Sequence, residues 1–296
     1  VTTRQTSLPG DTWQLGDLTI TRFGYGAMQL TGPGVVGPPA DHDAALAVLR
    51  AAVDAGITHI DTADVYGPRV VNDLIREALH PYPDWVHIAT KVGATRDADG
   101  NWPTAREPDD IRRAVHDNLD ALGVDALDVV NLRMGDATGP QDESLARPFE
   151  TLLGLQQEGL IRHLGVSNVT VGQVAEARRL GPIVCVQNMY NLASRHDDDL
   201  IDELADAGIA YVPFFPLGGF TPVQAEELSA VASARGTTPV AVSLAWLLQR
   251  SPNILVIPGT SSVDHLRENI DGAGLVLDDA DLAALDRIGR IGRPGR

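Results

Sequence analysis

Short apolar, β-branched runs alternate along this chain with stretches whose apolar residues recur every three or four positions. The runs predict buried strands at 19–24, 58–61, 86–91, 126–132, 163–167, 183–187, 209–213 and 254–257. The periodic stretches predict helices at 43–55, 70–79, 108–122, 143–158, 169–180, 198–207 and 240–249. Thr170 after Asn168 and Val169 marks a helix start, while Ala55-Gly56 and Ala207-Gly208 mark helix ends where glycine takes the left-handed conformation. Strands separated by helices imply parallel pairing, and eight such units fit either a closed (β/α)8 barrel or an open doubly wound sheet. A dinucleotide-binding sheet carries GxGxxG after its first strand. Here Gly24-Tyr25-Gly26 runs into Ala27, Met28 and Gln29, so the third glycine is missing and the barrel is favoured.

Three additions to the eight units follow from the same pattern. Residues 12–15 and 18–21 flank Gly16-Asp17 as a hairpin placed to plug the barrel's bottom. Residues 221–235 read as an extra helix, and 279–288 as a C-terminal one. No low-complexity or Pro/Ser-rich linker divides the chain, so residues 1–296 read as one α/β domain, a TIM barrel with a β-hairpin plug and extra C-terminal helices. The loop 95–107, long and polar but carrying Trp102, reads as a candidate substrate lid or as a surface excursion. Loops 32–39 and 134–141 and the C-terminal tail are the other places where specificity would reside.

Composition narrows the function. The 23 basic and 40 acidic residues leave a net charge of −17, which repels a phosphate backbone and argues against nucleic-acid binding. The single cysteine, Cys185, cannot form an internal disulfide. The N-terminal residues hold no apolar core of signal-peptide length, and no run approaches the length of a membrane span, so a cytoplasmic location is expected. Only one of the 23 basic residues is a lysine, Lys91. In a chain that otherwise uses arginine, a lone lysine draws attention, because an ammonium is compact and shifts its pKa readily.

Barrel chemistry sits at the C-terminal ends of the strands. Those ends offer Asp61 and then Tyr66 in HIDTADVYG, Lys91 in HIATKVG, and Asn131 with Arg133, two apart and facing the same way. Ser167 with Asn168 and Gln187 with Asn188 follow, then Phe214, Phe215, Leu217 and Gly219, and finally Gly259, Thr260, Ser261 and Ser262 leading into a helix at Val263. An aspartate after a strand is often a cap, and a lone tyrosine is often rim packing. Their convergence on one rim is what points to a site. A free tyrosine has a pKa of about 10 and donates a proton sluggishly near neutrality. A neighbouring ammonium stabilises the phenolate, and a carboxylate beyond it holds the ammonium charged, so Asp61, Lys91 and Tyr66 form a candidate proton relay. The Gly-Thr-Ser-Ser turn would present amides and hydroxyls to a phosphate, or would simply cap its helix.

These residues resemble the aldo-keto reductase superfamily over essentially the whole chain. HIDTADVYG resembles that family's strand-two signature, LGVSN its strand-five signature, and VIPGTSSVDHLREN its strand-eight cofactor segment. The resemblance implies a (β/α)8 barrel and metal-free, NADPH-dependent reduction of an aldehyde or ketone to an alcohol. It makes Tyr66 the proton donor, Lys91 its modulator and Asp61 the lysine's partner. It sets Ser167, Asn168 and Gln187 at the nicotinamide carboxamide and Phe214, beside Phe215, on the ring. Leu217 and Gly219 would lie along the pyrophosphate, with Gly26, Ala27 and Met28 also on the cofactor's path. Gly259, Thr260, Ser261, Ser262, His265 and Arg267 would meet the 2′-phosphate, with Glu268 and Asn269 at the adenine.

Two departures from the family pattern stand out. The histidine usual at the end of strand four is replaced by Arg133 in DVVNLRMG, a segment that also resembles a bacterial branch associated with pyridoxal reduction. Arg133 can donate to a carbonyl oxygen, clamp an anionic substrate group, or pair with Asp136. In the phosphate loop, Gly259 and His265 stand where lysine and arginine are frequent, leaving Arg267 as the nearby positive charge for NADPH in preference to NADH. Carbonyl reduction is the leading expectation, with pyridoxal as a specific version and Trp102 and Arg133 facing the substrate. A slow-turnover NADPH sensor, resembling the potassium-channel β subunits, is the alternative from another class. A lyase using a Lys91 Schiff base ranks last, since Asp61 would keep that lysine charged.

Overall fold

Thr12–Leu15 (β1) and Leu18–Thr21 (β2) pair antiparallel around Gly16, whose φ of 68° supplies the tight turn. In this computed structural model, which describes residues 8–97, 99–136, 139–216 and 225–288, the hairpin closes the bottom of a barrel. Seven parallel strands follow in chain order: Tyr25–Gly26 (β3), His59–Asp61 (β4), His87–Val92 (β5), Leu127–Arg133 (β6), Ile161–Ser167 (β7), Cys185–Gln187 (β8) and Ala210–Tyr211 (β9). Residues 254–256 close the ring. Leu255 donates its N–H to Tyr211 O at 2.9 Å on one side, and Val256 donates to Arg22 O at 2.9 Å on the other. The eight-stranded barrel predicted from the alternation is therefore present.

Most strand boundaries shift by one or two residues from the sequence expectation, and the first differs in kind. Residues 19–24 are not a single strand: 18–21 belong to the plug, and the first barrel strand starts with the bridge from Phe23 to Val256. Arg22 and Phe23 join plug to barrel directly, and Gly24 falls only after the first barrel bridge, so the pattern reads as one run. The corner is held by Arg22, whose guanidinium donates to the carbonyls of Gly10, Leu248, Ser251 and Ile254 at 2.7–3.2 Å.

Ten α-helices are described: His42–Asp54 (α1), Val70–Leu79 (α2), Pro108–Leu122 (α3), Ala146–Gln157 (α4), Val171–Leu180 (α5), Asp198–Asp206 (α6), Glu226–Ala234 (α7), Pro239–Arg250 (α8), Val263–Ala273 (α9) and Asp279–Leu285 (α10). Their starts follow local chemistry. Asp41 accepts from Ala44 N ahead of α1, Thr170 and Gln173 form a capping box at α5, and Pro108 opens α3. The helix predicted from 143 begins three residues later, because Glu176 binds Ser144 Oγ and Leu145 N while Gln173 binds the carbonyls of Gln141 and Glu143. Those bonds hold 141–145 as a loop. Of the predicted extra helix 221–235, residues 221–224 lie outside the described residues, and the remainder forms α7.

Two apolar cores result. The larger lies between strands and helices, where α1 buries Leu46, Val48, Leu49 and Val53, each contributing about 1.5–3 kcal/mol of transfer free energy. The smaller fills the barrel: Ala89, Val129, Cys185, Ala210, Val212, Leu255 and Ile257 meet Leu15, Leu18 and Ile20 of the hairpin. With the bottom thus sealed, only the C-terminal rim remains for polar interior side chains. Among the described residues, no helix is long and apolar enough to cross a membrane.

Candidate active site

Strand alternation decides which side chains reach the rim. Val129 lies in the interior core, so Asn131 and Arg133, two and four residues on, face inward above it. The same alternation carries β5 from Ala89 to Lys91 and β8 from Cys185 to Gln187. Lys91 and Asn131 are register partners, as are Arg133 with Ser167 and Ser167 with Gln187. Gly165 leaves room for this layer, since a Cβ there would lie 2.1 Å from Asn131 Oδ1 and 2.6 Å from Cys185 Sγ. Cys185 donates to Asn131 Oδ1 at 3.2 Å, and burial pushes its thiol up to about 12, so it is inert.

At the rim, Lys91 Nζ donates to Asp61 Oδ1 at 2.6 Å and to Thr62 O at 2.9 Å. The second carboxylate oxygen accepts from Gln187 Nε2 at 2.8 Å. The lysine and aspartate side chains are 8% and 5% exposed, so this is a buried ion pair. Burial pulls the Lys91 pKa down, but Asp61 and the Tyr66 phenol outweigh it and hold the ammonium above its ordinary value. Lys91 Nζ lies 5.2 Å from the centroid of the buried Tyr66 ring. Asp61, Lys91 and Tyr66 thus lie together at the rim. The charged state of Lys91 also removes the basis for a Schiff-base lyase.

Tyr66, Lys91, Trp102 and Arg133 line a cleft whose remaining wall is Ala63, Val65, Val92 and Ala94. Trp102 presents itself edge-on to Tyr66 at 6.1 Å between ring centroids. The loop carrying it folds back through a bridge between Ala94 and Thr104 and is anchored by Arg96, which donates to Gly34 O and stacks 4.4 Å from the Trp102 ring. Arg96 was not legible as a site residue, because loop contacts carry no periodic signal. Arg133 lies at the cleft's far side. Burial lowers its pKa, and Tyr66 and Asp136 counter that; a guanidinium so placed stays charged.

The residues expected to hold a cofactor fall into two groups. Ser167 Oγ and Gln187 Oε1 are buried on adjacent strands beside Asp61 with no hydrogen-bond partner. Orphaned buried oxygens are rare, and a carboxamide, with two donors and an acceptor, matches them. Asn168, at φ 55°, donates its Nδ2 to Met134 O and Asp136 O at 3.0 Å, holding the loop that follows Arg133. Phe214 bridges Met189 and meets Phe215 edge-on at 5.3 Å; Phe215 itself takes a left-handed φ of 54°. Leu217 and Gly219 lie outside the described residues.

The second group surrounds the strand-eight turn. Gly26 and Gly259 pack back to back, and a Cβ on Gly259 would lie 2.6 Å from Gly26 O. Ala27 and Met28 continue from Gly26 in a 3-10 turn. Tyr25 Oη donates to Thr260 O at 2.5 Å, fixing the turn. Ser262 Oγ accepts from His265 N and caps α9, while Thr260 Oγ1 accepts from Ser262 N in the turn before it; Ser261 is exposed between them. His265, Arg267 and Glu268 are exposed on α9 and Asn269 is half-buried; Arg267 pairs with Asp264 at 3.1 Å. The turn therefore presents the N-terminus of an eleven-residue helix, with the exposed Arg267 pairing through one nitrogen to Asp264.

The chain is similar to known proteins in sequence and in fold. The pattern that defines the aldo/keto reductase family matches residues 22–290. The chain is 57% identical over 285 residues to pyridoxine 4-dehydrogenase of Escherichia coli (strain K12), spanning 96% of this chain and 100% of that one. A thermostable aldo-keto reductase crystallised with the inhibitor epalrestat superposes with a TM-score of 0.79 at 29% identity, covering 94% of this chain and 99% of that chain. An aldo/keto reductase of Klebsiella pneumoniae in complex with NADP and acetate gives a TM-score of 0.75 at 26% identity, covering 94% and 95%.

Proposed function

The chain belongs to the aldo/keto reductase family, and on that premise we propose that it reduces an aldehyde to an alcohol at the cleft between Tyr66 and Arg133, using NADPH. The observation that carries this reading is the buried Asp61–Lys91 pair set against Tyr66, with the two orphaned oxygens of Ser167 and Gln187 beside it. When bound, NADPH supplies the hydride for the carbonyl carbon. Ser167 and Gln187 would hold its carboxamide, Phe214 its ring, and the turn at Gly259–Ser262 its 2′-phosphate.

The chain's own residues handle the oxygen. As the carbonyl is reduced, its oxygen gains negative charge, and Tyr66 delivers a proton to it. Lys91 stabilises the phenolate left behind, and Asp61, braced by Gln187, keeps Lys91 ionised and oriented. Arg133, at the place where the family resemblance leads one to expect a histidine, donates to the same oxygen as its charge develops. Val65, Val92 and Trp102 exclude water around it. In the reverse direction the same groups take the proton from an alcohol. The similarity to pyridoxine 4-dehydrogenase supports a pyridine aldehyde such as pyridoxal as substrate. A cytoplasmic site of action, where NADPH is kept reduced, is part of this reading. The missing strand-four histidine gives a slow-turnover sensor some support, and the presence of Asp61, Tyr66 and Lys91 together weighs against it.

The test is NADPH oxidation with a panel of aldehydes that includes pyridoxal, comparing the wild type with Tyr66→Phe. The variant is expected to keep its NADPH affinity and lose turnover by about 100-fold or more, the usual weight of a positioned proton donor. Full turnover in Tyr66→Phe would remove Tyr66 from the mechanism.

A further inference from the structure

Arg133 differs from a histidine in two ways that bear on substrate choice. It is permanently charged, and its N–H groups form a planar fork that engages two oxygens at once. Lys91, the cleft's other cation, is matched by Asp61 at 2.6 Å. Burial lowers the pKa of Arg133, and the neighbouring Tyr66 and Asp136 oppose that. Because Val129 below it points into the core, the guanidinium projects to the rim where Tyr66 lies. The remaining walls of the cleft are apolar, formed by Val65, Val92 and the Trp102 ring with Ala63 and Ala94. A carbonyl oxygen alone occupies one arm of the fork. An aryl aldehyde with a hydroxyl ortho to the carbonyl fills both, with one arm on the reacting oxygen and one on the ortho oxygen. The guanidinium's charge favours that oxygen as phenolate once its proton has passed to solvent.

We propose that Arg133 selects ortho-hydroxy aryl aldehydes by gripping the carbonyl and the adjacent phenolate together. Pyridoxal, whose aldehyde stands beside a ring hydroxyl, is one member of that class. The inference rests on the reductase reading above. Reduction adds a hydride to the carbonyl carbon and a proton from Tyr66 to its oxygen, so the ortho oxygen is a binding handle and is not consumed. Its grip is made in the ground state as well as the transition state, and its effect therefore falls mainly on KM.

The experiment uses the full chain with NADPH and three probes: 2-hydroxybenzaldehyde, 4-hydroxybenzaldehyde and 2-methoxybenzaldehyde. The wild type is expected to favour the 2-hydroxy compound over both others in kcat/KM by about 10- to 100-fold, the worth of one charge-assisted hydrogen bond. Arg133→Gln is expected to bring that ratio close to one, and Arg133→Lys to lose most of it, because the charge remains but the fork does not. The ratio compares substrates on one protein, so a loss of folded material leaves it unaffected. A wild-type ratio near one, or a ratio that survives Arg133→Gln, overturns the proposal while leaving the reductase reading intact. A ratio fully kept by Arg133→Lys overturns the two-oxygen grip. No turnover of any aldehyde overturns the reductase reading and this inference with it.

Discussion

Lys91 and Asp61 tie catalysis to stability at the scale of single residues. Both are nearly inaccessible to water, and each is the other's main compensation for burial. Removing one partner of such a pair leaves an uncompensated charge and costs about 3–5 kcal/mol, whereas removing both costs much less. Lys91→Met and Asp61→Asn are each expected to lose that much stability in denaturant unfolding. The double variant should recover most of it, because the amide introduced by Asp61→Asn can still accept from Gln187 and no ion is left buried. Activity follows a different order. Every variant lacking Lys91 should show kcat lower by about 100- to 10,000-fold, the range for losing a tuned proton donor. Recovery of activity in the stable double variant would show that Lys91 acts only as a structural ion. The importance of Lys91 was legible from composition, because it is the chain's single lysine. Its bond to Thr62 O and the link from Asp61 to Gln187 were not, since they depend on how neighbouring strands are staggered.

Loops rather than strands shape the cleft at the scale of elements. The 95–104 segment doubles back through the Ala94–Thr104 bridge, with Asp97 accepting from Asn101 N and Asp99 N at its tip. Arg96 then ties it to the 32–37 loop and orients Trp102 over Tyr66. Arg96→Ala releases the indole, and KM for aldehydes should rise by about 2- to 5-fold, the value of a partly exposed cation–π contact, with kcat changing less. A fall in kcat at constant KM would mean that Arg96 acts on the proton relay instead. Trp102 was visible in the sequence as an isolated aromatic in a polar loop; its stacking partner was not. The same limit explains two of the boundary shifts. Arg22 and Phe23 join plug to barrel directly, and the predicted start at 143 is overridden by Glu176 and Gln173 of the following helix. Local pattern identified the element in both cases, and tertiary hydrogen bonds set its end.

The alternation of strands and helices made the barrel legible across the whole molecule. Its closure through 254–256 was legible only as an eighth apolar run. What the pattern could not reveal is that the wall beneath the site contains a buried histidine. His59 sits in β4 against Gly24, where a Cβ would lie 2.9 Å from its Nδ1, and that nitrogen has no partner. Burial pulls its pKa down to about 4, with His87 and Lys91 adding to the effect and Asp61 opposing it. The unfolded chain, with His59 near its free value of about 6.5, takes up the proton first. Stability from this group is therefore complete above about pH 6.5 and is lost progressively as pH falls to about 4, for a total of about 3 kcal/mol. Asp64 works the other way. Burial and the neighbouring Asp117 raise its carboxyl to about 6, with Arg69 opposing, so its contribution is largest in acid and declines as pH rises from about 4 to 6. The two slopes overlap, and the wild-type profile alone would conceal both. Comparison with His59→Gln separates them, because Asp64 is common to the two proteins. Between pH 7 and pH 4 the variant should gain about 3 kcal/mol on the wild type in denaturant unfolding, whatever the substitution costs at neutrality. A stability difference that stays constant over that range would mean that His59 is protonated within the folded barrel.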